Sequence, residues 1–125
     1  MKFAKIVFYA AGVYGIIALL PQYFMEAKNG RDYPPAITHP EYYYGFVGIA
    51  LVFQLIFLII ARDPLKYRSL MPVTVLEKLS FGVPTAILYL QNRLAAPLFA
   101  AGLIDLILGA LFAAAYIKTA PNSAD

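Results

Sequence analysis

The chain has 125 residues, 62% of them hydrophobic, with a mean hydropathy of +0.70, a net charge of +3, one histidine and no cysteine. So apolar a chain cannot cover its core with polar surface, which makes lipid its natural solvent, and its length leaves room for a single domain spanning residues 1–125. Scattered lysines and arginines argue against a nucleic-acid partner, and the lack of thiols argues against disulfides and against zinc or haem ligation by this chain alone.

Four apolar runs are predicted as helices, at about 5–25, 42–61, 73–90 and 94–117. Each is long enough for ~30 Å of hydrocarbon at ~1.5 Å per residue. None alternates as a barrel strand does. The fold expected is all-α: an integral membrane four-helix bundle.

Lys2 and Lys5 precede the first run, as in a signal peptide, but no small-x-small cleavage site follows it, so a retained helix is expected. The longest loop, EAKNGRDYPPAITHPE, carries turn and extended-backbone signals at Asn29-Gly30 and Pro34-Pro35. Thr38, Pro40 and Glu41 then open the second helix, and RDPLKYRSLMP is a short basic link. In the third helix TVLE reads as a capping box, with Thr74 as N-cap and Glu77 reaching back. That reading sets Glu77 and Lys78 about a turn and a half inside the cytoplasmic edge. The tail TAPNSAD is polar and is expected to be mobile unless an assembly pins it.

With both termini cytoplasmic (N-in/C-in), Lys2, Lys5, Arg62, Lys66, Arg68, Lys78 and Lys118 lie inside, and Lys28, Arg31 and Arg93 outside. Seven against three follows the positive-inside rule. Tyr23, Tyr42, Tyr43, Tyr44, Tyr67, Tyr89 and Tyr116 fall near run ends, as an interface belt does.

Asp105 is the residue that asks for chemistry. It stands roughly 16 Å into the fourth helix, where a charge costs at least ~2.5–3.5 kcal/mol. Gly102, Gly109 and Ala113 share its stripe, so it is expected to face another helix at close range. By depth, the predicted layer around it is Tyr14, Gln54 and Thr85, with Pro84 leaving the Ser80 carbonyl without its usual partner. Asp105 is expected to bond Gln54 or Tyr14, with no cation at its depth and its neutral form favoured by desolvation. Such a layer serves either packing or a site for a ligand or proton. Glu77 is a candidate contact at the cytoplasmic mouth. His39 with Glu41 makes only a weak metal pair, so no metal site is expected. No catalytic triad or phosphate loop is present in the sequence.

Through GRDYPPAITHPEYYYGF, IARDPLKYRSLM and LEKLSFG the chain resembles a small family of four-helix bacterial membrane proteins, and in general shape it is similar to DoxX-like proteins. The resemblance implies a four-helix fold in a bacterial inner (cytoplasmic) membrane and implies no activity. Small multidrug transporters are of similar size but carry an essential acid in their first helix, and here none precedes Glu26. Two functions compete. One is a non-enzymatic accessory subunit that packs against itself or other subunits of a larger, bioenergetic complex, with bound lipid, quinone or pigment. The other is a small enzyme or binder acting on a lipid, sterol or quinone through Asp105. A lipid-shaped cavity beside Asp105 would favour the second.

Overall fold

The computed structural model describes residues 2–121. The described chain is helical, with α1 over Lys2–Leu19, α2 over Glu26–Asp32, α3 over Pro40–Arg62, α4 over Met71–Leu90 and α5 over Ala96–Lys118. Short 3-10 turns extend α1 to Phe24 and lead into α4 from Arg68. The results are four 23-residue spans, each long and apolar enough to cross a membrane. Their exposed side chains are largely apolar, among them Ile17, Leu55, Leu76 and Ile107, as a lipid-facing surface requires. Residues 122–125 of the polar tail lie outside the described residues.

The third span begins earlier than the sequence predicts, and this moves everything on it. Pro72 sits in the first turn of α4, where a missing N–H costs nothing. Thr74 is therefore not an N-cap. It is buried inside the helix, and its hydroxyl donates to the Met71 carbonyl at 2.6 Å. Counted from Arg68, Lys78 is the eleventh residue of its 23-residue span, so it lies near mid-depth and not on the cytoplasmic rim.

The bundle is made of two antiparallel hairpins. In the first, α1 packs on α3 where Gly12 and Gly15 admit Leu58 and Gln54. In the second, α4 packs on α5 where Gly102 faces Thr85 and Gly109 faces Lys78. The hairpins join along α1 and α5, while α3 and α4 meet at few residues. The main buried cluster occupies the half of the bundle that holds the start of α1 and the end of α5. Phe8 stacks on Phe112 at 4.2 Å, and Phe57 meets both edge-on, with Ala4, Ile60, Met71 and Ala115 around them. Arg68 fastens this end. Its guanidinium donates to the Tyr116 carbonyl at 2.9 Å from Nη2 and lies 3.7 Å over the Tyr116 ring, which satisfies the C-terminus of α5.

Candidate functional site

Beyond the aromatic plug the bundle is hollow. A cavity of about 240 Å³ lies among α1, α3, α4 and α5, walled by Tyr14, Gln54, Glu77, Lys78, Phe81 and Asp105. The polar side chains come from all four spans, and the hollow lies on the side of the plug facing the 25–39 loop. Gln22, Asn29 and Tyr43 lie at that end. Asn29 donates to Gln22 Oε1 at 2.8 Å, and the Tyr43 hydroxyl donates to the Gln22 carbonyl at 2.7 Å.

Lys78 is at the centre of the polar wall. It is only 4% exposed, and its ammonium donates to Asp105 Oδ1 at 3.3 Å. The same ammonium is 3.6 Å from Glu77 Oε1 and 5.0 Å from the centre of the Phe57 ring. Asp105 thus has a cation at its own depth, which overturns the expectation of an unpaired carboxylate bonded to Gln54 or Tyr14. The reason is the earlier start of α4: with Met71 in the helix, Lys78 joins Met71, Thr74, Gly82 and Thr85 on one buried stripe. Gly109, opposite on α5, leaves the room that the lysine stem fills, since a Cβ there would meet Lys78 Cβ at 3.2 Å. Glu77 likewise moves from the supposed mouth to the wall of the hollow. Removing Lys78 from the seven cations counted inside leaves six against three, so the charge bias survives.

Gln54 faces this cluster from α3. It is 1% exposed, its amide Nε2 donates to the Ala50 carbonyl at 2.8 Å, and its Oε1 accepts no hydrogen bond among the described residues. A Cβ on Gly15 would overlap that amide, so the glycine is what lets Gln54 lie flat against α1. Glu77 Oε1 is the other buried oxygen without a hydrogen bond among the described residues. Tyr14 lines the cavity but is half exposed. Thr85 does not belong to the site. Its hydroxyl lies 2.9 Å from the Phe81 carbonyl and 3.0 Å from that of Gly82, turned back on its own helix against Gly102. His39 and Glu41 are exposed and 3.8 Å apart, His39 stacks on Tyr42, and no third ligand joins them among the described residues.

A second hollow runs along the outside of the α3/α4 seam, faced by Ile49, Phe53, Val73 and Leu76. It shares Phe46, Ala50, Glu77 and Phe81 with the inner cavity. The rings of Phe46 and Phe81 stack across the seam at 5.5 Å, on the boundary between the two hollows. Of the residues singled out in the sequence, Asp105, Gln54, Tyr14 and Glu77 line one cavity and Thr85 does not; Lys78, Phe46 and Phe81, which also line it, were not singled out as part of it. Compared with protein-family models, with curated proteins and with solved structures, the chain matches none.

Proposed function

We propose that the protein is a small membrane binder for a lipid-soluble molecule, whose polar head lies beside Glu77, Lys78 and Asp105 and whose apolar part reaches the bilayer through the α3/α4 seam. The observation that carries this reading is the excess of acid over base at mid-depth. One carboxylate is enough to pin Lys78, and a second, with a buried oxygen that accepts no hydrogen bond among the described residues, stands at a hollow. Purely structural polar contacts in membranes are closed on themselves, because each unsatisfied group costs free energy there. The cavity is smaller than the ~300–1,000 Å³ usual for a whole drug-sized ligand, which suits a head group with its tail outside. The exposed apolar faces are what lipid covers and do not by themselves call for an accessory role in a complex.

Native mass spectrometry of the gently extracted protein tests this. The expected result is a retained small molecule that is lost in Ala101→Phe or Leu98→Trp, each of which puts bulk into the cavity wall, while helicity and melting temperature persist. A wild-type particle that carries no such molecule, or variants that keep it, would overturn the reading.

The orientation proposed is N-in/C-in, supported by the charge bias, and the bacterial inner membrane is the location that the resemblance implies. A cysteine in place of the exposed Lys28 is expected to react with an impermeant thiol reagent from outside, and one in place of the exposed Ser69 is expected not to. The reverse pattern inverts the topology.

A further inference from the structure

We infer that the head group taken by this hollow is a protonated amine, so that the ligand class is an alkylammonium; this rests on the binding reading above and specifies its chemistry. Three ionisable groups meet at the cluster, and two of them are acids. Lys78 balances one, and the remaining carboxylate has no cation of its own among the described residues. The hydrogen-bond inventory leans the same way. Gln54 is almost fully buried on the cavity wall with no hydrogen bond to its Oε1 among the described residues, and Glu77 Oε1 accepts no hydrogen bond either, having only the Lys78 ammonium at 3.6 Å. Both are acceptors, so what the site lacks is donors.

An anionic head would have to use Lys78. That ammonium is already divided between Asp105 at 3.3 Å, Glu77 at 3.6 Å and the Phe57 ring, and an arriving anion would face two carboxylates. A neutral hydroxyl supplies one donor but leaves the charge unbalanced. An ammonium supplies up to three donors together with the missing positive charge. The remaining walls suit it as well, since Tyr14, Phe46 and Phe81 present aromatic rings, which favour cations and pack against methylenes. The ligand arrives already protonated, as an alkylammonium, so no bond forms or breaks when it pairs with the carboxylate.

Three probes with one tail separate the possibilities: radiolabelled dodecylamine, dodecanol and dodecanoate, each measured on purified protein in phosphatidylcholine nanodiscs against Ala101→Phe as the filled-cavity blank. Dodecylamine is expected to bind at least about ten-fold more tightly than either of the others, in line with the advantage of charge-assisted hydrogen bonds. That preference is expected to disappear in Glu77→Gln. Equal binding of amine and alcohol, or tightest binding of dodecanoate, would overturn the amine assignment while leaving the binding function standing. Binding of none of the three above the blank would remove both.

Discussion

Asp105→Leu is expected to destabilise the bundle by ~3–5 kcal/mol, the usual cost of stranding one partner of a buried ion pair. Lys78 is 4% exposed and near mid-depth, and its stem is held against Gly109. Glu77 at 3.6 Å lessens the loss but does not restore the 3.3 Å contact. Lys78→Met alone is expected to cost less, because the carboxylates it strands, with side chains 15–16% exposed, are less buried than the lysine. The double variant Asp105→Leu/Lys78→Met is expected to recover most of the loss, since an apolar pair of similar volume commonly matches or exceeds a buried ion pair. Thermal unfolding of all four proteins in one detergent gives the coupling directly. Single losses that simply add would mean that the two side chains do not interact. A stable double variant that no longer retains a ligand would separate the fold from the site.

The second large effect is expected at the α4/α5 contact. Even a methyl group on Gly102 would overlap Thr85 Oγ1 and come within 2.9 Å of Thr85 Cβ. Thr85 cannot easily turn away, because its hydroxyl bonds back to its own helix. Gly102→Leu must therefore push the helices apart. Its loss of melting temperature is expected to exceed that of Leu108→Ala, since Leu108 is only partly buried while added bulk at a close helix contact disrupts the whole face. A smaller loss for Gly102→Leu than for Leu108→Ala would remove the glycine contact as the reason these helices pair.

Most of the fold was legible because membrane spans announce themselves by length and hydropathy, and both survive errors of a few residues. The site was legible only in part, and one boundary explains why. Reading Thr74 as an N-cap placed the start of α4 too late and left Lys78 near a surface it does not touch. With Pro72 read instead as a first-turn residue, the series Met71, Thr74, Lys78, Gly82 and Thr85 is visible as one helical stripe, and the lysine falls opposite Gly109. Asp105 and Gln54 were found because a polar group at mid-depth needs a reason wherever the ends fall. Phe46 and Phe81 could not have been singled out, since aromatic rings in a membrane chain are common and only the sparse α3/α4 contact gives this pair its position.

The lopsided core has a mechanical consequence. The aromatic plug of Phe8, Phe57 and Phe112, with Arg68 on the Tyr116 carbonyl, clasps the hairpins at the end that holds the start of α1 and the end of α5. At the other end little more than the Phe46–Phe81 stack spans α3 and α4. The molecule is therefore built like a clothes-peg, sprung at one end and free at the other. The contacts that hold the fold and those that close the hollow are therefore different ones, so weakening the Phe46–Phe81 stack is expected to leave the clasp intact.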